Sequence, residues 1–207
     1  MSTFAVIPVK QLHESKRRLA HLLTAEERAG LIGRFLDNLL LTLAATPSID
    51  RTLVVTCDPA VAEMAARRGA EVLVETAADG LNHAAARGAA HAAAAGATAV
   101  LLLPADLPFA RVEDIQAMLQ PMEQGPLAPL LSICPDETED GTNALLLAPP
   151  DGFTFCYGPG SFRAHLAEAV VRGRPAHVVP APGLRFDLDT ESDWLVYNGY
   201  LVGVGEE

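Results

Sequence analysis

Residues 4–19 read FAVIPVKQLHESKRRL, and the apolar run at the start of this stretch decides the fold. Residues 4–9 are uninterrupted and rich in β-branched side chains, which is typical of a strand buried on both faces of a parallel sheet. The loop that follows contains Lys10 and Lys16, the only lysines in the chain. Ligands of open α/β sheets bind beyond the carboxyl ends of the strands, so this loop lies where a polyphosphate would bind.

Helical patterns alternate with further short apolar runs along the chain. Thr24 and Glu27 form a capping box that opens an apolar-striped helix reaching about Ala45. Asp58 and Pro59 supply the cap and first-turn proline of the next helix. We predict the other strands at residues 53–56, 72–74, 99–103, 127–133, 144–147 and 177–179. We predict further helices in the alanine-rich stretch 84–97, at 161–171 and within 187–197. This order predicts one α/β domain over residues 1–207, an α/β/α sandwich whose mostly parallel mixed sheet has helices on both faces.

The overall composition excludes several classes of protein. The chain has 207 residues, of which 50% are hydrophobic, and a formal net charge of −11. This composition is globular, and the excess of 26 acidic over 15 basic residues argues against a nucleic-acid-binding protein. The N-terminus lacks the pattern of a signal peptide, and no run approaches the roughly 20 apolar residues that span a bilayer. The three cysteines form no pairing or metal motif, so we expect reduced, buried thiols in a cytoplasmic protein.

Cations are concentrated in the loop after the first strand. Lys10, Lys16, Arg17 and Arg18 are 4 of the 15 cationic residues and lie within nine positions. Lysine and arginine both suit phosphate oxygens, so the loop is a candidate polyphosphate site. The alternative is a solvated surface loop. Neither a P-loop motif nor a GxGxxG turn follows the strand, which disfavours the P-loop and Rossmann interpretations.

Two carboxylate segments are candidates for holding a divalent cation. Asp106 follows a predicted strand directly and lies between two prolines. Asp187 and Asp189 form an Asp-x-Asp unit, whose side chains point to the same side if the backbone is extended. Together they would suit Mg²⁺, a hard ion that takes oxygen ligands and shares them with substrate phosphates. Alternatively, Asp106 forms a turn and Asp189 caps the last helix.

Three glycine-rich or polar segments precede regular elements. Residues 80–82 (Gly-Leu-Asn) either cap the alanine-rich helix or approach a purine edge, and residues 141–143 (Gly-Thr-Asn) enter a strand. Residues 157–162 (YGPGSF) precede a helix for which Ser161 is the candidate N-cap. A glycine-rich turn at a helix N-terminus can bind an anion through its N–H groups. A plain turn or capped helix is the alternative for each segment.

Several of these motifs occur together, in the same order, in a known family. In this chain they are VIPVK (6–10), KRRL (16–19), GLN (80–82), DLP (106–108), GTNAL (141–145), GPGSF (158–162) followed by His165, and FDLDT (186–190). Over essentially its whole length the chain resembles the CofC/FbiD guanylyltransferases of coenzyme F-420 biosynthesis. The resemblance implies a nucleotide-diphospho-sugar transferase fold, which is glycosyltransferase-A-like and similar to MobA. It also implies transfer of GMP from GTP to a three-carbon phosphorylated acid, with release of pyrophosphate.

The resemblance gives each matching residue an expected role. The triphosphate would be neutralised by catalytic and GTP-binding residues, namely Lys10, Lys16 and Arg18, and the guanine nucleoside would lie near the GTP-binding residues Gly80, Leu81 and Asn82. Mg²⁺ would be bound by Asp106, Asp187 and Asp189. The acceptor would be held by Thr142, Gly158 and Ser161. GTP and the acid are the implied partners, with no nucleic acid and no membrane, and a homodimer stays open.

Two alternative functions are weighed against this one. A molybdopterin guanylyl- or cytidylyltransferase usually opens with a glycine-rich loop, whereas residues 6–10 contain no glycine. A non-catalytic nucleotide-binding module is disfavoured because both lysines and all three aspartates are present.

One stretch departs from the family pattern. Residues 136–140 (DETED) precede the Gly-Thr-Asn motif, where relatives often carry a basic residue and glycines. An acidic stretch beside an anionic acceptor leaves the acceptor open among phosphoenolpyruvate, 2-phospho-L-lactate and 3-phospho-D-glycerate. We favour phosphoenolpyruvate, because the alanine-rich composition suggests a bacterial source.

Overall fold

The computed structural model of the chain describes residues 1–76, 79–124 and 129–204. Its strands are β1 (Thr3–Val9), β2 (Arg51–Thr56), β3 (Glu71–Val74), β4 (Ala99–Leu102), β5 (Leu130–Pro135), β6 (Thr142–Ala148) and β7 (Ala176–Val178). Its α-helices are α1 (Ala25–Ala44), α2 (Pro59–Arg67), α3 (Leu81–Ala94), α4 (Val112–Gln124), α5 (Ser161–Val171), α6 (Pro182–Arg185) and α7 (Glu191–Val204). Two short 3-10 helices, Leu12–Glu14 and Arg17–Leu19, lie in the loop after β1.

The strands form one seven-stranded sheet in the order β3-β2-β1-β4-β6-β5-β7. All neighbouring pairs are parallel except those made by β6, which runs antiparallel to both β4 and β5. The carboxyl ends of β1 to β5 and the amino end of β6 therefore meet at one edge of the sheet. The loops at this edge carry the polar residues that the sequence singled out.

Helices cover both faces of the sheet. One core cluster joins α1, α2, α4 and α7 to the sheet, and a second joins α3 and α5 to the opposite face. Helix α3 lies close against β1 and β2 because Gly88 faces them. A side chain there would overlap Val6 and lie 3.0 Å from Val55. The predicted α/β/α sandwich with a mostly parallel mixed sheet is thus confirmed.

Most predicted elements occur within a few residues of their expected bounds. The Thr24–Glu27 capping box is present, and Asp58 caps α2 with Pro59 in its first turn. The predicted strand from residue 127 is described only from Leu130, and residues 127 and 128 lie outside the described residues. The last helix begins at Glu191, after the carboxylate pair as expected, and extends beyond Tyr197 to Val204. None of the described helices is both long and apolar enough to cross a membrane.

Candidate active site

A cleft of about 410 Å³ opens at the edge where the parallel strands end. Four neighbouring strands each deliver a polar residue to its wall: Lys10 follows β1, Cys57 follows β2, Glu75 follows β3, and Asp106 lies beyond the end of β4. The cleft contains half of the residues predicted for the site, namely Lys10, Lys16, Gly80, Leu81, Asp106 and Asp189. The topology therefore assembles groups that are far apart in the sequence.

The loop after β1 is held in a specific shape beneath the cleft. Lys16 has the left-handed backbone conformation (φ 52°, ψ 42°), which is uncommon for a residue other than glycine. Arg28 of α1 is buried, and its guanidinium donates to the carbonyls of Ser15 at 3.1 Å and Leu23 at 2.7 Å. These bonds fix the loop on both sides of Lys16, so the surrounding structure can maintain the strained conformation.

Lys16 is the centre of the charged network. Its side chain is only 6% exposed, and its ammonium forms an ion pair with Asp106 and lies 3.6 Å from Oδ1 of Asp189. Arg18, which is outside the cleft wall, donates to Oδ2 of Asp189 at 2.6 Å. Burial lowers the pKa of Lys16, but the charges of Asp106 and Asp189 outweigh it, so the pKa lies above its ordinary value. Lys16 is therefore a charged ammonium at neutral pH.

Asp187 lies beside this network. Nδ2 of Asn143, at the start of β6, donates to Oδ1 of Asp187 at 3.2 Å and to the carbonyl of Arg185 at 3.0 Å. Burial and the negative charge of Asp106 raise the pKa of Asp187 to about 6, with a smaller contribution from Asp189. Asp106, Asp187 and Asp189 are therefore close enough to repel one another electrostatically.

The three aspartates fit a divalent cation by their chemistry. Among the described residues, no group of three or more His, Cys, Asp or Glu side chains is already arranged to hold a metal ion. Instead the ammonium of Lys16 contacts both Asp106 and Asp189. Carboxylate oxygens are nevertheless the ligands that Mg²⁺ prefers, and a cation would relieve the repulsion that raises the pKa of Asp187. A cation there would compete with Lys16 for the carboxylates of Asp106 and Asp189.

A second group of predicted residues forms an uncharged cluster between β6 and α5. We call Thr142, Ser161 and His165 the hydroxyl cluster. Oγ1 of Thr142 lies 3.0 Å from Nδ1 of His165 and accepts from Oγ of Ser161 at 3.3 Å. All three residues are at least 90% buried. Burial lowers the pKa of His165 to about 4, so its ring is neutral at physiological pH.

The tautomer of His165 fixes the direction of these hydrogen bonds. The backbone N–H of Cys156 donates to Nε2 of His165 at 2.9 Å, so Nε2 carries no proton. In a neutral ring the proton must then be on Nδ1, which donates to Thr142. Because Oγ1 of Thr142 accepts from both His165 and Ser161, its own O–H is oriented away from them as a donor.

The glycine-rich turn before α5 corrects one expectation. Gly160, with φ 71°, is the N-cap of α5, whereas Ser161 is the first helical residue and directs its hydroxyl to Thr142. The prediction that Ser161 is the N-cap was wrong, because the left-handed conformation at the cap favours glycine. Gly158 has φ 134°, and its carbonyl accepts from the N–H of Ser161 at 3.0 Å.

Asn82 is hydrogen-bonded to the turn before α5. Its Nδ2 donates to the carbonyl of Tyr157 at 3.1 Å, and its Oδ1 accepts from the N–H of Tyr157 at 2.6 Å. Both ends of the amide therefore tie the start of α3 to the turn before α5. Gly80 and Leu81 do line the cleft, and Gly80 has φ 93°, which a side chain would disfavour.

The acidic stretch at residues 136–140 has a structural explanation. The carboxylate of Asp136 accepts from the backbone N–H groups of Asp140 at 3.0 Å and Gly141 at 2.9 Å. The carboxylate of Asp140 accepts from the N–H of Gly160 at 3.0 Å. Arg185 donates to the carbonyls of Asp136 and Glu137. Two of these acids thus hold the loop and the helix start together, and Arg185 offsets part of the charge.

Sequence reasoning did not assign a role to several residues of this region. Asn143 and His165 belong to motifs that were singled out, so the motifs themselves were the available signal. Arg28 gave no signal, because an arginine in the first turns of a helix usually faces solvent. The thiols are free as expected, but only Cys134 is buried, whereas Cys57 and Cys156 are partly exposed.

Two solved structures share the fold of this chain. A nucleotidyl transferase from Methanothermobacter superposes with a TM-score of 0.68 and 17% identity, over 98% of this chain and 99% of that one. A 4-diphosphocytidyl-2C-methyl-D-erythritol synthase from Anaerococcus prevotii superposes with a TM-score of 0.66 and 12% identity, over 97% and 96% of the two chains. At these identities the likeness establishes the fold, and it agrees with the predicted nucleotidyltransferase architecture.

Sequence comparisons are more specific. A phosphoenolpyruvate guanylyltransferase from Rubrobacter xylanophilus is 44% identical over 93% of this chain and 92% of its own length, and one from Sphaerobacter thermophilus is 39% identical over 93% and 91%. A 3-phospho-D-glycerate guanylyltransferase from Colwellia psychrerythraea is 34% identical over 93% and 90%. The model of the family described as "Guanylyl transferase CofC like" matches residues 3–198. The resemblance drawn from the motifs is therefore confirmed, and the chain belongs to the CofC-like guanylyltransferase family.

Proposed function

We propose that this protein transfers GMP from GTP to the phosphate of phosphoenolpyruvate and releases pyrophosphate, as a step of coenzyme F-420 biosynthesis. The observation that carries the proposal is the convergence of Lys10, Lys16 and three aspartates at one edge of the sheet, with the hydroxyl cluster at the start of β6. Relatives matched over more than nine-tenths of this chain are named phosphoenolpyruvate guanylyltransferase, which supports guanylyl transfer and favours this acceptor.

The reaction joins two anions. An oxygen of the acceptor phosphate attacks the α-phosphorus of GTP and forms a new P–O bond. The bond between the α-phosphorus and the oxygen that bridges the α- and β-phosphates breaks. The electron pair of that bond leaves with pyrophosphate. The attacking oxygen is already ionised, so no side chain has to remove a proton, and positioning and charge neutralisation supply the catalysis.

Lys10, Lys16 and Arg18 supply the positive charge for this step. Lys16 is buried with its ammonium in the cleft, where a point charge acts more strongly than in water. When a nucleotide binds, its phosphates compete with Asp106 and Asp189 for Lys16, and the released carboxylates become available to a cation. Asp106, Asp187 and Asp189 would hold Mg²⁺, which when bound would neutralise charge on the phosphates and on the departing pyrophosphate.

The hydroxyl cluster would hold the acceptor. Thr142 presents a donor whose direction is set by Ser161 and His165, and the turn at Gly158 leads directly into the same cluster. Neutral donors bind a phosphate or carboxylate without cancelling the negative charge that the attacking oxygen needs. This division leaves the cationic residues for the triphosphate.

We also propose a cytoplasmic location, where free thiols such as those of this chain persist. The homodimer stays a prediction.

The direct test is pyrophosphate release with GTP, Mg²⁺ and one acid at a time. We expect release with phosphoenolpyruvate and less with 2-phospho-L-lactate or 3-phospho-D-glycerate. Stronger release with another of the three acids would change the acceptor and keep the reaction class. No release with any acid, together with release from a pterin or sugar phosphate, would refute the proposal.

A further inference from the structure

One buried carboxylate in the cleft has no part in the mechanism above. Four carboxylates line the cleft within the described residues. Asp106 and Asp189 contact Lys16, and Glu14 lies 3.6 Å from Arg17 of its own loop. The fourth, Glu75, lies directly after β3, and its side chain is only 7% exposed. Such a charge is costly to bury and is usually retained for a partner.

The sheet order places Glu75 far from the phosphate-binding groups. Strands β3, β2, β1 and β4 are consecutive neighbours, so Glu75 after β3 and Asp106 after β4 are separated by three strand spacings, or about 14 Å at about 4.8 Å each. Lys10, after β1, lies between them. A nucleotide laid across these strand ends with its phosphates at Lys10 and Lys16 would reach Glu75 with its base.

The surroundings of Glu75 suit a flat base. Leu81 and Ala84, on the first turn of α3, line the same cleft, and Leu81 is 43% exposed there although it is apolar. Arg87 on the same helix lies 3.3 Å from Oε1 of Glu75. The backbone N–H of Glu75 donates to the carbonyl of Thr56 at 2.8 Å and extends the pairing of β3 with β2. Glu75 is thus fixed by both its backbone and Arg87, and it lines the cleft.

We infer that Glu75 is the residue that selects guanine, by accepting hydrogen bonds from N1–H and the 2-amino group on the base edge. A carboxylate offers two acceptor oxygens and no donor, which matches these two adjacent donors. Adenine presents a lone pair at N1 and would be repelled, and hypoxanthine keeps N1–H but lacks the amino group. The inference rests on the proposed use of GTP and adds the residue that specifies its base.

The test compares nucleotide binding by titration calorimetry, without acceptor, for GTP, ITP and 2′-deoxy-GTP. For the wild type we expect GTP to bind about tenfold to hundredfold more tightly than ITP, the usual range for a hydrogen bond to a charged group. In Glu75→Gln, which keeps the size but only one acceptor oxygen, the ratio should fall to within about threefold of one. The ratio of GTP to 2′-deoxy-GTP should not change.

Glu71→Gln is the matched control, since Glu71 lies at the other end of β3 and also pairs with an arginine, Arg51. Its GTP to ITP ratio should equal that of the wild type. Equal affinity of the wild type for GTP and ITP would overturn the inference without any variant. An unchanged ratio in Glu75→Gln, or a change confined to 2′-deoxy-GTP, would overturn it too. Failure of pyrophosphate release with every acid, beside intact GTP selectivity, would refute only the proposed function.

Discussion

The charged cleft and the hydroxyl cluster lie at the same edge of the sheet, but different interactions hold their side chains in position. In the cleft, Lys16 is surrounded by carboxylates, and the position of each group depends on the charge of its neighbours. In the cluster, Thr142 and His165 are neutral and buried, and hydrogen bonds alone fix their positions. We therefore expect the cleft to rearrange when a polyanion and a cation bind, and the cluster to present the same donor before and after the acceptor binds.

The largest effects are expected where the charged network around Lys16 loses a carboxylate. Asp106→Asn and Asp187→Asn should each lower Mg²⁺-dependent pyrophosphate release by about a hundredfold or more, because each removes a charged oxygen that we propose as a ligand of Mg²⁺. The fold should be intact by circular dichroism. Asp37→Asn is the control, because Asp37 pairs with Arg68 at an exposed site on α1. Activity of either aspartate variant within about twofold of the wild type would contradict the proposed metal ligands.

A smaller but more selective effect is expected at Lys16. Lys16→Ala should raise the KM for GTP about tenfold to hundredfold and change the KM for the acid less, because its ammonium serves the triphosphate. Arg17→Ala removes an adjacent cation whose side chain is 76% exposed, and it should be nearly silent. A larger change for the acid than for GTP would overturn the role of Lys16.

The fold was largely predictable because its strands are short apolar runs separated by strong helix signals. The capping box at Thr24 and Glu27 and the Asp58-Pro59 pair marked helix starts that the structure reproduces. Helix α4 was not predicted, since Pro121 interrupts its pattern and a proline inside a helix usually ends it. Tertiary packing overrides that local preference, as Ile115, Met118 and Leu119 are fully buried.

The candidate site was predictable as a set of motifs but not as a set of contacts. Position after strand ends located Lys10, Lys16 and Asp106 at one edge. The ion pairs of Lys16 and the two hydrogen bonds between Asn82 and Tyr157 depend on the geometry of side chains from distant segments. Spacing along the chain does not encode that geometry. Glu75 belonged to no motif, so only its burial in the cleft wall identified it.

Removal of one hydrogen-bond donor from the hydroxyl cluster should weaken binding of the acid. Thr142→Val keeps the shape of the side chain and removes the hydroxyl, so the KM for the acid should rise about tenfold, with the KM for GTP nearly unchanged. Thr142→Ser restores the hydroxyl and should recover most of the loss. An unchanged KM for the acid in Thr142→Val would exclude this hydroxyl from acceptor binding.

Titration of His165 is expected to have the smallest effect on turnover at neutral pH. Its effect should instead be seen in the pH dependence of the free energy of unfolding. Its pKa is lowered from 6.5 to about 4, so between these values the folded chain binds fewer protons than the unfolded chain. The free energy of unfolding should therefore decrease as the pH falls from 6.5 through 4, by on the order of 3 kcal/mol from this residue.

Urea unfolding at several pH values, for the wild type and His165→Gln, isolates this contribution. The difference between the two proteins should shrink as the pH falls from 6.5 to 4, because the variant lacks the titrating ring. Parallel pH profiles would show that His165 is not buried as a neutral ring.

The most direct test of the division of labour compares Lys16→Ala and Thr142→Val in one assay, with KM measured for both GTP and phosphoenolpyruvate. We expect a crossed result, in which Lys16→Ala raises mainly the KM for GTP and Thr142→Val mainly the KM for phosphoenolpyruvate, each by about tenfold or more. Equal changes for both substrates in both variants would contradict it, because the cleft and the cluster would then not bind separate substrates.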